Sequence, residues 1–297
     1  MAVVKHLVIV CFLFFCNALT AQNLKLAGVE YKNYPKTSLD YNSTGDISFN
    51  EATFYINIPI RFKDEKTIVI FGPRYDRLSY QLVDSSNEVN SKKLHKLILS
   101  FTGLHKWNEK WTAVTWLRPG TGSDFREETT SGYMLFEAAL LTLKKQNKHL
   151  LIGGGVAYTN YVGRNTVVPL LFVDYKKGKH TIDAIMPSYG KYYYQLNEKY
   201  HLHLGLSFAF SSGTYNTTLE PYSLFDTTPI NDVVFAQFHT GPILKARFAK
   251  SIQLEIYGGV AGFRQINFRD NQKRPIKIAP MNNGFLQVGL YYVFVVK

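Results

Sequence analysis

The residues whose types and spacing suit chemistry best are His201 and His203, two imidazoles on one face of a period-two segment, with His239 as the third ligand that a metal site needs. Antiparallel pairing of 200–213 with 232–248 through 214–231 sets His239 near Leu206, on the order of 10 Å from His203 at ~3.4 Å per residue. Coordination is therefore not expected, and the three histidines read as polar lining of an interior. The carboxylates Glu137, Asp183 and Glu255 are of the type that does acid–base work, with Arg61, Lys96, Lys245 and Arg247 as counter-charges on the same side of their strands. Charges that face an enclosed space pair with one another or line water, and that reading is preferred. No Gly-x-Ser-x-Gly elbow occurs, and Gly153-Gly154-Gly155 lies inside an extended run instead of a strand-to-helix turn, so neither a serine hydrolase nor a phosphate loop is expected. The expectation is a protein without catalysis, metal or cofactor.

The elements that position these side chains are strands. In 201–210 the side chains Leu202, Leu204, Leu206, Phe208 and Phe210 oppose His201, His203, Gly205, Ser207 and Ala209. In 51–62, Phe54, Ile56, Ile58, Ile60 and Phe62 oppose Thr53, Tyr55, Asn57, Pro59 and Arg61. Ten or so alternating residues is the length a tilted strand needs to cross hydrocarbon. Short polar connectors, at 63–66, 108–110, 144–148, 176–179, 197–199 and 249–251, alternate with long ones at 35–49, 83–91, 118–131, 214–231 and 264–281. Tight turns at one end and long loops at the other describe a membrane barrel. Aromatic residues near strand ends, among them Trp107, Trp111, Trp116, Tyr158, Tyr161 and Tyr192 to Tyr194, read as interfacial girdles.

Composition narrows the choice further. Residues 1–21 carry Lys5, an apolar run from Leu7 to Phe15 and a cleavage point between Ala21 and Gln22, the layout of a signal peptide. Both cysteines, Cys11 and Cys16, fall in it, so residues 22–297 have no thiol for disulfides, thiolate metal sites or nucleophilic catalysis. No later apolar run reaches eighteen residues, which excludes a transmembrane helix there. Without Lys5 the net charge is +11, and the six tight turns hold eleven lysines against four carboxylates. The basic excess is therefore a ring at one mouth, suited to anionic headgroups at ~1 kcal/mol per cation. No basic-aromatic groove accompanies it, so no nucleic-acid partner is expected.

Thirteen segments lie between the connectors from residue 51 to 296, and closure with both ends on the turn side requires one more, supplied by 24–34. The expectation is an all-β, transmembrane, antiparallel up-and-down β-barrel of about 14 strands over 22–297. The alternative is 12, should 180–187 and 190–196 merge around Pro187 and the N-terminal segment stay outside.

The end of the chain, NGFLQVGLYYVFVVK, places Gln287, Gly289, Tyr292 and Phe294 in a polar-x-Gly-x-x-aromatic-x-aromatic order. It resembles the signal by which barrel assembly machinery takes up outer-membrane proteins. Together with Ala21-Gln22, the stretch Asn57-Ile58-Pro59-Ile60-Arg61-Phe62, and Met186-Pro187-Ser188-Tyr189-Gly190 leading into Tyr194-Gln195-Leu196-Asn197, it makes the chain similar to an uncharacterised outer-membrane β-barrel family of Bacteroidota. The resemblance implies residence in the outer membrane among its lipids and assigns no catalytic or binding residue. A fourteen-strand count is also similar to hydrophobic-substrate channels of the fatty-acid-transporter type, whose long N-terminal plug is missing here. The function expected is a passive conduit or binding barrel for an unidentified small solute, the alternative being a structural or interaction barrel that acts through its loops.

Overall fold

The computed structural model describes residues 24–39, 45–84, 89–125, 134–161, 164–219, 230–249, 251–270, 272 and 275–294. The segment 1–21 read as a signal peptide, Lys250 of the last tight turn and Val295 to Lys297 lie outside them. The strands are β1 (Leu24–Ser38), β2 (Gly45–Ile56), β3 (Ile58–Arg61), β4 (Thr67–Asp84), β5 (Val89–Lys106), β6 (Trp111–Ser123), β7 (Met134–Asn147) and β8 (Leu150–Tyr161). They continue with β9 (Arg164–Lys177), β10 (His180–Met186), β11 (Tyr189–Asn197), β12 (Leu202–Leu219), β13 (Ile230–Ala249), β14 (Ile252–Asp270), β15 (Pro275–Ile278) and β16 (Asn283–Phe294).

Neighbours along the wall pair antiparallel, and β16 returns to β1 in the register Leu24↔Phe294 to Asn33↔Leu286. β2 and β3 are two halves of one wall strand, since both pair with β4. The break falls at Asn57, whose Nδ2 donates to the Lys25 carbonyl at 2.8 Å. β15 and β16 likewise both pair with β14, at its upper and lower parts, and form one wall strand, so the wall is a closed antiparallel barrel of 14 strands. The two segments around Pro187 are separate strands paired Ile185↔Tyr189, which excludes the twelve-strand alternative.

The long connectors are shorter than expected. β1, β4, β6, β12 and β14 run on to Ser38, Asp84, Ser123, Leu219 and Asp270, well into segments read as loops. In these extensions the outer face turns polar while the inner face stays apolar, as at Ile266 and Phe268 of β14, and the backbone ladder continues. At the opposite end, Lys144 and Lys145 close β7 and Lys176 and Lys177 close β9, so these four belong to strand ends and not to the turns proper.

Alternation decides facing. Val29, Phe54, Ile58, Leu99, Leu117, Leu140, Val156, Leu171, Leu204, Leu206, Val260 and Leu290 are exposed around the whole circumference. Exposed Phe62, Trp107, Tyr194, Tyr200, Phe248 and Tyr292 ring the tight-turn end. Trp116 and Tyr193 do not join that girdle; Trp116 shares the inward side of β6 with Arg118, and Tyr193 is buried. An even-numbered antiparallel barrel, apolar outside and with polar groups inside, has the architecture of outer-membrane barrels.

Candidate functional site in the barrel interior

Inward-facing side chains do not merely line the interior; they meet across it. Toward the long-loop end, Phe49 of β2 and Phe235 of β13 have ring centroids 5.3 Å apart, and Tyr80 of β4 lies 6.3 Å from Phe268 of β14. These strands are not wall neighbours. With Tyr34, Ile47, Leu82, Leu94, Tyr215, Ile266 and Phe285 they form one buried apolar cluster. A smaller cluster, Ala139, Leu141, Leu143, Ala157 and Leu170, covers the inner face of β7 to β9.

Polar groups occupy defined stations around this packing. Near the tight-turn end, Glu255 takes Lys25 at 2.9 Å and Lys191 at 3.7 Å, and accepts from Gln253 Nε2 at 2.8 Å. Lys245 lies 4.0 Å above the Tyr193 ring. Higher up, Tyr34, Glu51, Gln237 and His239 form a buried network. On the opposite wall Arg74 pairs with Asp76 at 2.9 Å and Arg118 with Glu137 at 3.7 Å. Such pairs replace hydration that the interior does not supply.

Glu137, Asp183, Lys245 and Glu255 stand on the inward sides of β7, β10, β13 and β14. Glu137 also accepts from Thr159 Oγ1 at 3.1 Å, Asp183 accepts from the Tyr189 hydroxyl at 3.1 Å, and Arg61 lies 3.6 Å from Glu65 at the tight-turn mouth. Arg247 follows Lys245 on the inward side of β13, opposite Gln253.

The histidines require correction. His201 does not lie on the strand: it is exposed, sits in the turn before Leu202 and has φ 42°. Its carbonyl accepts from the His203 ring at 2.7 Å, so the two imidazoles do not form a ligand pair on one strand face. His239 pairs with Ala209 instead of Leu206, a three-residue difference in register. Among the described residues no three of His, Asp and Glu gather as a metal-ligand group.

Parity alone would have identified Gln253, which shares its strand's inward side with Glu255, and Gln237, which shares that of His239 and Lys245; Lys25, Lys191, Arg74 and Asp76 lie on strands from which no lining residue was read. Their meeting across the interior is a tertiary fact. Gln287 of β16 donates to Glu30 at 3.0 Å and Gly289 is inward, while Tyr292 is exposed on the outer face and Phe294 shares its parity there.

A crevice opens among the described residues of β5, β6, β7 and β12. It is lined by Lys96, Ile98, Arg118, Leu135, Glu137 and Ser212, among others, and measures about 320 Å³ out to open solvent. Its enclosed part has room for about one water molecule.

Known barrels share the outline of this wall. An outer membrane channel from Pseudomonas putida F1 aligns at 10% identity and TM-score 0.47 over 92% of this chain and 97% of its own. The TodX monoaromatic hydrocarbon channel aligns at 10% identity and TM-score 0.41 over 91% and 90%. The outer membrane phospholipase A of Escherichia coli aligns at 10% identity and TM-score 0.35 over 92% and 98%. At such values neither cargo nor catalysis transfers. Among curated proteins none matches the sequence. A family model does match nearly the whole length, residues 25–292, and by it the chain belongs to the family described as Domain of unknown function (DUF6268).

Proposed function

We propose that this chain is an integral outer-membrane barrel that binds a small solute within its wall and is not a standing open pore. The observation that carries the reading is contact across the interior: Phe49 with Phe235 and Tyr80 with Phe268 occupy the space a water-filled channel would need. The membrane part rests on the apolar belt and the aromatic ring at the tight-turn end. In this reading residues 1–21 direct export and are cleaved after Ala21. Barrel assembly machinery takes up the β16 segment with Gln287, Gly289, Tyr292 and Phe294, and the lysine-rich mouth meets anionic lipid headgroups on the periplasmic side. The reading includes no catalysis, cofactor or nucleic acid.

The test is conductance of the purified barrel in a planar bilayer. The expected result is no steady open-pore current from correctly folded, heat-modifiable protein. A stable porin-like current would overturn the reading in favour of a passive conduit. The cationic mouth with Arg61, Lys245 and Arg247 would then give a weak anion preference that fades as the Debye length falls from about 10 Å at 0.1 M salt to about 3 Å at 1 M.

A further inference from the structure

The barrel wall is uneven. β10 and β11 have 7 and 9 residues, whereas their neighbours β9 and β12 have 14 and 18. Pairing of β9 with β10 ends at Leu171↔Met186, and pairing of β11 with β12 ends at Tyr189↔Ala209. Above the β10–β11 turn, the β10-facing edge of β9 from Arg164 to Leu170 has no strand partner among the described residues. Pro169 lies in this stretch. Proline lacks the N–H that a central strand must donate and is confined to edges and bulges.

β12 does not fill the gap. Its upper part, still laddered to β13 as far as Leu219↔Ile230, crosses inward: Asn216 bridges Ser123 of β6 in parallel, Thr214 Oγ1 donates to Asn160 Oδ1 of β8 at 3.1 Å, and Thr217 Oγ1 donates to Asp124 at 2.9 Å. One side of this segment packs through Tyr215 into the apolar cluster. The other side has the parity of Leu204 and Leu206, which face outward lower on the same strand. That same side lines the crevice through Ser212 and Thr214. A single strand face thus leads from the outer surface into the crevice.

Seven residues of tilted strand rise ~18 Å above the tight turns, less than the ~25 Å of a barrel's apolar band. The gap therefore starts within hydrocarbon, and its rim is apolar: Val167, Leu171 and Met186 are all exposed. The crevice behind it holds Lys96 and Arg118 against the single carboxylate Glu137, beside Ile98 and Leu135.

We propose that the barrel is open sideways between β9 and β12 above the β10–β11 turn, and that the crevice behind receives a single-chain anionic amphiphile, its head at Lys96 and Arg118 and its tail in the lipid. This rests on the binding-barrel reading and supplies its ligand class and route. Entry requires the two long cationic side chains to swing toward the interior, which their flexible stems allow.

The test uses the full chain in phosphatidylethanolamine and phosphatidylglycerol vesicles, with the photo-cross-linker p-benzoylphenylalanine placed singly at Ser212, at outward Leu204, or at Leu151 behind continuous wall. Phospholipid adducts are expected at Ser212 and Leu204 and not at Leu151. Dodecanoate should suppress the Ser212 adduct and leave the Leu204 adduct unchanged, while dodecyltrimethylammonium should not suppress it. In a Lys96→Gln, Arg118→Gln variant that remains heat-modifiable, the suppression should need roughly tenfold more dodecanoate. An adduct at Leu204 with none at Ser212 overturns the side opening. A Ser212 adduct that dodecanoate does not suppress, or that both amphiphiles suppress equally, overturns the anionic ligand. An open-pore current would instead remove the underlying binding-barrel reading, so the two failures are distinguishable.

Discussion

The Tyr34 hydroxyl lies 2.7 Å from Nε2 of His239, joining β1 to β13 across the barrel interior. β16 and β14 separate these strands in the wall. The hydroxyl donates to Glu51 Oε1 at 3.1 Å and accepts from Gln237 Nε2 at 2.7 Å. A phenol has one hydrogen to give, so Glu51 and His239 share its donor, and the role of Nε2 at this contact follows the tautomer of the ring. The barrel is thus cross-braced by a buried polar knot within an aromatic core.

Removing the hydroxyl from this knot should cost more than one ordinary hydrogen bond. Tyr34→Phe leaves buried atoms of Gln237 and His239 and the Glu51 carboxylate short of a partner, a loss of ~1–3 kcal/mol. Urea titration of the barrel in lipid vesicles is the measurement; a change below ~0.5 kcal/mol would show that the knot is not a brace.

Facing can be tested at two consecutive residues. Leu204 is exposed on the belt, whereas His203 is inward near the tight-turn mouth. Leu204→Arg should destabilise the inserted barrel by ~2–4 kcal/mol near the midplane and less toward the interface. His203→Arg should change it by less than ~1 kcal/mol. Ser207 and Gln253 share the inward side but are each only 3% exposed, so arginine there overpacks the interior and costs ~1–3 kcal/mol. Equal losses at Leu204 and His203 would contradict the assigned faces.

Assembly and stability should separate at the last strand. Tyr292 is exposed on the outer face of β16 and Phe294 shares its parity, while β16 is held through its ladders to β1 and β14. The double variant Tyr292→Ala, Phe294→Ala should lower the amount of folded barrel in outer membranes several-fold while changing unfolding of the surviving protein far less. Immunoblotting of heat-modifiable protein reads the first quantity and urea titration the second. Unchanged membrane levels would exclude a recognition role for these two rings.

One tight turn carries a pH dependence of known sign. Asp64 accepts from the Thr67 hydroxyl at 2.6 Å and from the backbone N–H groups of Thr67 and Lys66 at 3.0 and 3.1 Å. These bonds, the Thr67 hydroxyl first, hold its carboxyl below the ordinary aspartate range. A depressed folded-state pKa means that the contribution is present above the unfolded value of about 3.9 and is lost as pH falls through the folded one. Asp64→Asn should therefore flatten the loss of stability as pH falls below about 4, measured by urea midpoints on both sides of that pH. A parallel offset at every pH would mean that the carboxylate charge is irrelevant to the turn.

Much of the barrel was legible in the chain because its signals are local. Side chains alternate with a period of two, so the faces of 51–62 and 201–210 follow from residue order once one face is apolar. Six lysine-rich connectors at one end impose parity, and with 24–34 they yield fourteen strands. Fine register was not local: the ladder runs on from Gly213 to Leu219 on β12 but only from Asp232 back to Ile230 on β13, so pairing the ends of 214–231 placed His239 three residues from its true partner. His201 was misplaced because its alternation with His203 continues smoothly into a turn with left-handed backbone, which period alone does not register. Tertiary structure alone decided which inward residues meet. Whether Phe49 faces water or Phe235, whether Glu255 finds Lys25 and Lys191, and whether β12 stays in the wall or leans onto β6 and β8 depend on the cross-section of the closed barrel. That cross-section is a sum over all strand pairings at once, and no window of sequence contains it.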